Sequence, residues 1–143
     1  MALFKIKEPE VLEYLNEHFE YKYDKNEYGV RDAWYVMKYV PYHGDCEDYS
    51  LTYLWNVCDR SYFKMFISLI FGKSKICFCT VRGEGHAVLR YKDEYLDNIQ
   101  KKWCSKKYLE DRGYEFHKTH FWWNVVAVKL VQGWYYGYSN KPR

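Results

Sequence analysis

The stretch Gly44-Asp45-Cys46-Glu47-Asp48-Tyr49-Ser50 leads from a glycine turn into the first turn of an apolar helix. Gly44 lets the backbone turn tightly at that point. Cys46 then lies among backbone N–H groups without intrahelical acceptors, at the positive end of the helix dipole, and both favour the nucleophilic thiolate. The stretch therefore predicts a reactive thiol at the start of a helix, and the rest of the chain can be interpreted as the structure that holds this thiol in place.

A cysteine nucleophile needs a base and a group that orients the base, and both follow in order. His86 lies in Glu84-Gly85-His86-Ala87-Val88-Leu89, and Asp97 lies in Tyr95-Leu96-Asp97-Asn98-Ile99. Neighbouring antiparallel strands can place these two side chains next to each other. The carboxylate would then fix the imidazole, whose other nitrogen takes the proton from Cys46. A lone cysteine is more often a packing residue, but the ordered histidine and aspartate favour catalysis.

Length and composition limit the classes of protein to consider. The 143 residues, 17.6 kDa in mass, indicate one domain over 1–143 with a single core. The aromatic content of 22% suits either buried rings or stacking on a ligand, and does not choose between them. The net charge of +3 is mild and both signs are spread along the chain, so we expect no nucleic-acid and no membrane partner.

Targeting signals and cysteine usage indicate the compartment. The segment Met1 to Glu8 lacks the apolar region of an export signal, and no apolar run is long enough to span a membrane, so we expect a cytoplasmic protein. Five cysteines without paired spacing fit a reducing compartment. Cys77 and Cys79 share one strand face and could hold zinc with Cys104 and a histidine, but small buried side chains are the better interpretation.

Hydrophobic periodicity predicts an α+β architecture, with N-terminal helices and the nucleophile helix packed on an antiparallel sheet. The predicted helices are Glu8 to Phe19, Asp32 to Val40, Asp45 to Cys58, Tyr62 to Phe71 and Ser105 to Asp111. The predicted strands are Ile76 to Val81, His86 to Tyr91, Tyr95 to Ile99, Tyr114 to Phe116 and Asn124 to Val131. The inner stripe of the central helix is Cys46, Tyr49, Ser50, Tyr53, Leu54 and Val57. The helix that begins at Tyr62 is apolar on most sides and should be well covered.

An oxyanion hole requires two hydrogen-bond donors beside the thiol. The backbone N–H of Cys46 is the natural first donor. The indole of Trp34 or a hydroxyl of Tyr35 or Tyr42 is a candidate second donor, although a core anchor is the more common role for a residue such as Trp34. His43 is either a turn residue or part of the cleft.

Three blocks of this sequence resemble a known family. Gly44 to Ser50, Gly85 to Leu89 and Tyr95 to Asn98 resemble the motifs of the bacterial transglutaminase-like cysteine proteinases, within the papain and transglutaminase superfamily. Asp32-Ala33-Trp34 also resembles the family's Asp-x-Trp segment. The resemblance implies a papain-like fold in which the cysteine helix packs against a sheet that carries the histidine and the aspartate.

The resemblance also implies a cysteine peptidase or a related amide or isopeptide hydrolase. Cys46 would be the nucleophile that forms a thioester, His86 the general base and then acid, and Asp97 the orienting carboxylate. Deamidation or acyl transfer would use the same triad. The alternative from another class is a catalytically idle module that binds and inhibits a host protein. Compact relatives are common in phage genomes, so the expected setting is a phage protein acting on a protein or peptide in the cytoplasm of its bacterial host.

The acidic residues beside the cysteine have two interpretations. The family's best-understood members are exported calcium-dependent proteases, and Asp45 and Glu47 match their calcium-binding positions. These two positions lie about 200° apart on a helix, so a shared site would have to begin in the preceding turn and need further oxygens, such as those of Asp32. Alternatively, Asp45 caps the helix while Glu47 and Asp48 favour its first turn. No cofactor is required for folding in either case.

Overall fold

The computed structural model of the protein describes residues 6–21, 34–38, 40–121 and 123–140. In chain order the elements are α1 (Pro9–His18), β1 (Phe19–Tyr21), β2 (Tyr42–Gly44), α2 (Cys46–Val57), α3 (Tyr62–Ile70), β3 (Lys75–Val81), β4 (Glu84–Tyr91), β5 (Glu94–Leu96), β6 (Cys104–Ser105), α4 (Lys106–Glu110), β7 (Tyr114–Phe121) and α5 (Trp123–Asn140). The predicted α+β architecture is confirmed. No helix within these ranges is long and apolar enough to cross a bilayer.

Five strands form an antiparallel sheet in the order β6-β5-β4-β3-β7. The β3–β4 hairpin closes on Arg82-Gly83, and both residues have positive φ angles, of 51° and 85°. A turn of this kind suits glycine at its second position and matches the twist of the flanking strands. A short parallel pair of β1 and β2, which the sequence analysis did not predict, lies outside this sheet.

The central helix α2 begins at Cys46, one residue after the predicted start, because Asp45 caps it. The Asp45 side chain accepts from the backbone N–H of Asp48, and the Asp48 side chain accepts from that of Asp45. These reciprocal bonds satisfy two backbone donors at the helix N-terminus. The predicted inner stripe is too narrow, because α2 is buried on nearly every side, including Asp48, Leu51, Thr52 and Trp55.

Gly44 is required by space rather than by an unusual backbone angle. A Cβ at this position would lie 2.7 Å from both Cβ and Oδ2 of Asp48 and 3.0 Å from Sδ of Met37. Any side chain at position 44 would therefore displace the carboxylate that closes the capping box. The glycine thus protects the start of α2.

The predicted helix from Asp32 to Val40 is wrong over residues 34–38, which have no regular secondary structure; Asp32, Ala33 and Tyr39 lie outside the described residues. The backbone N–H of Tyr35 donates to Oδ1 of Asp48 at 2.8 Å, and that of Met37 donates to Oγ1 of Thr52 at 2.8 Å. Side chains of α2 thus satisfy both backbone donors, of which the Met37 N–H is one that a helix would have used internally.

The predicted strand from Asn124 to Val131 is also wrong, since this segment belongs to α5. Valines favour strands, but Val126 is fully buried and Leu130, four residues later, packs against the same core. That spacing places both on one helix face. The side of β3 opposite β4 is already paired with β7, so this segment cannot pair with β3.

The apolar helix α3 is less covered than expected. Met65 and Leu69 are buried, whereas Phe63 and Phe71 expose 76% and 70% of their surface. The core takes only one face of this helix, because α2 and α5 contact it from one side. Gly72 ends the helix with a φ of 71°, as predicted.

Two clusters of buried residues lie on opposite faces of the sheet. The larger one joins the helices to Ala87, Leu89 and Leu96, and the smaller one contains Val88, Tyr114 and three cysteines, Cys77, Cys79 and Cys104. The cysteines are therefore small buried side chains. All five cysteines of the chain are free thiols.

Candidate active site

An open cleft of about 810 Å³ lies where α2 meets the hairpin end of the sheet. Its walls carry both Cys46 and His86, with Asp97 buried behind the histidine. The lining residues are Tyr21, Cys46, Val81, Arg82, Glu84, Gly85, His86, Asn98, Ile99, Gln100, Arg112 and Tyr114. The thiol and the imidazole that the sequence singles out therefore face one space.

His86 and Asp97 form a buried hydrogen-bonded pair. Nε2 of His86 lies 2.9 Å from Oδ2 of Asp97, and the two side chains expose 8% and 1% of their surface. β5 ends at Leu96, which pairs with Leu89 of β4, and is therefore shorter than the predicted strand. Asp97 is the first residue after β5. Because the carboxylate can only accept, Nε2 carries the hydrogen and Nδ1 is left as the basic nitrogen.

The Asp97 carboxylate accepts two further hydrogen bonds. The backbone N–H of Gln100 donates to Oδ1 at 2.8 Å, which bends the chain out of the sheet after β5. The hydroxyl of Tyr114 donates to Oδ2, the oxygen that also accepts from His86. Three donors hold one buried carboxylate, and this compensates for its removal from water.

Tyr114 was not recognised from the sequence as a site residue. It begins β7, exposes 3% of its surface, and its ring lies edge-on to the His86 imidazole at 5.9 Å between centroids. Burial and the bond to Asp97 raise the pKa of Tyr114, so it remains a donor. One tyrosine among 17 carries no local signal, and only the β3–β7 pairing brings it to the site.

The Cys46 thiol has two close polar neighbours. The backbone N–H of Ala87 donates to Sγ at 3.4 Å, and Sγ–H donates to Oε2 of Glu47 at 3.2 Å. Ala87 can reach the sulfur because β5 ends opposite Leu89, and no other strand of the described residues pairs with this edge of β4. The edge of the sheet therefore positions the nucleophile.

The charge state of this thiol differs from the expectation. Burial and the nearby Glu47 and Asp45 carboxyls raise the pKa of Cys46 well above its ordinary value, and the bond from Ala87 only partly opposes them. Burial and the adjacent Asp45 raise the pKa of Glu47 to about 8. The helix N-terminus was expected to favour thiolate, but desolvation and negative charge outweigh it. These influences favour the protonated thiol over the thiolate in the resting site.

The sequence suggested four residues as oxyanion donors or cleft residues. None of them is among the residues that line this cleft; they are Trp34, Tyr35, Tyr42 and His43. Trp34 exposes only 2% of its surface within the core, and the backbone N–H of Tyr35 is used by Asp48. Tyr42 packs edge-on against Tyr14 and His18. His43 lies in β2, with its Nε2 atom 3.6 Å from a Glu20 carboxylate oxygen.

Donors in the cleft come instead from residues after β5 and from the helix start. Asn98 and Gln100 carry amides into the lining. The N–H of Cys46 is at the first helical position and has no intrahelical acceptor. Nothing in the spacing of these amides marks them in the sequence, because the bend after Asp97 decides where they point.

The acidic residues around Cys46 are engaged in contacts at the start of α2. Asp45 caps α2, Asp48 closes the capping box, and Glu47 contacts the thiol. Within the described ranges, no three side chains of histidine, cysteine, aspartate or glutamate are grouped so that they could hold a metal ion. Asp32, the suggested additional calcium ligand, lies outside those ranges.

No protein-family model matches this chain, and no curated protein matches it. The assignment of function therefore depends on the geometry of the cleft.

Proposed function

We propose that the protein is a cysteine hydrolase that attacks an amide or isopeptide carbonyl in a protein or peptide. The observation that carries this proposal is the buried His86–Asp97 pair, 2.9 Å between Nε2 and Oδ2, in the wall of the cleft that also presents Cys46. A hydrogen-bonded imidazole and carboxylate next to a thiol are the components of nucleophilic acyl transfer.

In the proposed reaction, Nδ1 of His86 removes the proton from Sγ of Cys46 as the sulfur attacks the carbonyl carbon. Asp97 keeps Nε2 protonated and stabilises the imidazolium that forms. The backbone N–H of Cys46 donates to the developing oxyanion. The imidazolium then gives its proton to the leaving amine, a thioester remains on Cys46, and water hydrolyses it with His86 acting again as base.

Glu47 imposes one step before this chemistry. The thiol donates to Glu47 in the resting arrangement, so it must turn from that carboxyl toward His86 before the proton can move. Apo active sites often have catalytic contacts that tighten only when substrate binds. Substrate in the cleft would exclude water around the pair and favour the turned thiol.

The same arrangement supports the finer proposal of a papain- and transglutaminase-like fold. A cysteine at the start of a central helix packs against an antiparallel sheet, and the sheet supplies the histidine from one strand and the aspartate from the end of the next. This is the order and the placement that the resemblance implied. A bacterial host protein is the proposed substrate.

The test is to incubate the wild-type protein and its Cys46→Ala variant with a bacterial lysate and to compare the products by mass spectrometry. New peptide termini that need Cys46 would indicate proteolysis, and deamidated or cross-linked side chains would indicate the related reactions. Cys104→Ala is the matched control, since Cys104 is a buried thiol in the second cluster. Identical profiles from wild type and Cys46→Ala would refute hydrolysis and transfer alike.

A second candidate is a binding module that uses the cleft without catalysis. The observation that favours it is the resting thiol, which is bonded to Glu47 and has a raised pKa. Such a module would retain a partner protein equally well as wild type and as Cys46→Ala, and it would leave that partner chemically unchanged. The same lysate, analysed for retained proteins, separates the two candidates.

A further inference from the structure

Two arginines lie on adjacent turns at one end of the cleft. Arg82 is in the β3–β4 turn, and Arg112 is in the turn between α4 and β7. The backbone N–H of Arg82 contacts the carbonyl of Gly113 at 3.5 Å. A Cβ added to Gly113 would lie 3.8 Å from Cγ of Arg82, so the arginine stem passes over this glycine.

Both guanidinium groups have donors to spare. Arg112 stacks on the ring of Tyr108, with Cζ 3.4 Å from its centroid, and uses Nη1 for the Tyr108 carbonyl at 3.1 Å. Among the described residues, no carboxylate lies within 4.0 Å of either guanidinium, although Glu84 lines the same cleft. Guanidinium groups placed in a cleft without a carboxylate partner are suited to bind an anion from the substrate.

We propose that Arg82 and Arg112 form a subsite for a carboxylate of the substrate, next to the bond that Cys46 attacks. This inference rests on the proposed function, because it takes the occupant of the cleft to be a substrate of Cys46. The carboxylate is either an acidic side chain or the C-terminal carboxylate of a peptide, and both present the same two oxygens to the guanidinium fork.

The charges of the lining favour a monoanion over a phosphate dianion. Arg82 and Arg112 supply two positive charges and Glu84 one negative charge. A single carboxylate balances these charges, whereas a dianion would leave excess negative charge in the subsite.

The amide of Asn98 supports a peptide as the carrier of that carboxylate. Asn98 lines the cleft as a residue, and its Oδ1 atom is buried and has no hydrogen-bond partner within the described part of the chain. A buried acceptor without a donor is costly, and a backbone N–H of a bound peptide would satisfy it.

The first test compares two small alkylating reagents that differ in charge. The second-order rates of iodoacetate and iodoacetamide at Cys46 are measured by peptide mass spectrometry at one pH, and their ratio cancels the ionisation of the thiol. We expect the iodoacetate-to-iodoacetamide ratio to fall about fivefold in the Arg82→Gln/Arg112→Gln variant. Lys73→Gln, which removes an exposed cation outside the cleft lining, should leave the ratio unchanged.

The outcomes separate this inference from the proposed function. If Cys46 reacts with neither reagent in the folded wild type, its assignment as the nucleophile is wrong, and both proposals fail with it. Reaction with an unchanged ratio in the double variant would overturn the carboxylate subsite alone. Thermal melting of each variant verifies that it is folded, and both arginines are exposed.

The second test distinguishes the sources of the carboxylate by protection of Cys46 from iodoacetamide. The probes are an acetylated tetrapeptide amide with one central aspartate, an acetylated trialanine with a free C-terminus, and acetylated trialanine amide. Protection by the first or second probe that is lost in the double variant supports the subsite and identifies its ligand. Equal protection by the neutral amide, or stronger protection by inorganic phosphate, would overturn it.

Discussion

The Cys46 thiol donates its hydrogen bond to Oε2 of Glu47, its neighbour in the chain, over 3.2 Å. The contact joins the proposed nucleophile to a carboxyl whose pKa burial and Asp45 raise to about 8. Consecutive residues on a helix normally point in different directions. Here Cys46 is at the first helical position, where the chain has only begun to turn, and this allows both side chains to meet.

Glu47→Gln should increase the reactivity of Cys46. At pH 9 most Glu47 carboxyls are ionised, and their charge opposes formation of the thiolate. Glutamine keeps an acceptor for the thiol without that charge, so the iodoacetamide rate at Cys46 should rise about threefold or more. Peptide mapping gives the rate, and Glu84→Gln, on the exposed rim, is the matched control. A slower rate in Glu47→Gln would mean that the carboxylate promotes ionisation.

The stability of the protein should fall with rising pH because of the same residue. The folded protein binds the Glu47 proton more tightly than the unfolded chain, where the pKa is near 4.5. The stabilisation is therefore complete below about pH 4.5 and is lost as the pH rises to about 8. Glu47→Gln should gain up to about 2 kcal/mol relative to wild type between pH 5 and pH 9, less than the full shift implies because Glu47 is partly solvated. Urea unfolding at both pH values measures this, and a constant difference would contradict it.

Tyr114→Phe should slow catalysis more than it weakens the fold. Loss of the hydroxyl removes one of three donors to Asp97 and should cost about 1.5 kcal/mol of folding free energy. A looser carboxylate orients the imidazole less well, so turnover on a substrate found in the lysate should fall about tenfold with little change in KM. Tyr95→Phe changes a buried ring in the same cluster and serves as control. Equal turnover in Tyr114→Phe and wild type would show that the Tyr114 hydroxyl does not contribute to catalysis.

Asp45 should stabilise the protein as a helix cap whether or not calcium is present. Asp45→Ala should cost about 1 kcal/mol, whereas Asp45→Asn should cost much less because asparagine also caps helices. Melting of chelator-treated protein, with and without millimolar calcium, is the measurement. A calcium-dependent shift that disappears in Asp45→Asn and in Glu47→Gln would instead establish the calcium site that the resemblance implies.

Local sequence was sufficient for the elements whose ends are encoded by neighbouring residues. Asp45 and Asp48 lie three residues apart, so they start α2 without help from the rest of the chain. Arg82-Gly83 and Gly72 likewise mark a hairpin and a helix end through positive φ angles. The cysteine, the histidine and the aspartate could be recognised as a possible triad for the same reason. Each lies in or next to one helix or strand that the local sequence predicts.

Only the tertiary structure decided the features that depend on contacts between segments distant in the chain. The valines after Asn124 form a helix because Val126 finds a buried place against the core and the edge of β3 is already paired with β7. Residues 34–38 do not form the predicted helix, and side chains of α2 accept the N–H groups of Tyr35 and Met37 instead. Tyr114 reaches Asp97 because strand pairing brings together residues 17 positions apart in the chain. Likewise, the raised pKa of Cys46 follows from burial and from the carboxyls around it, and burial is a property of the packed molecule that no single segment contains.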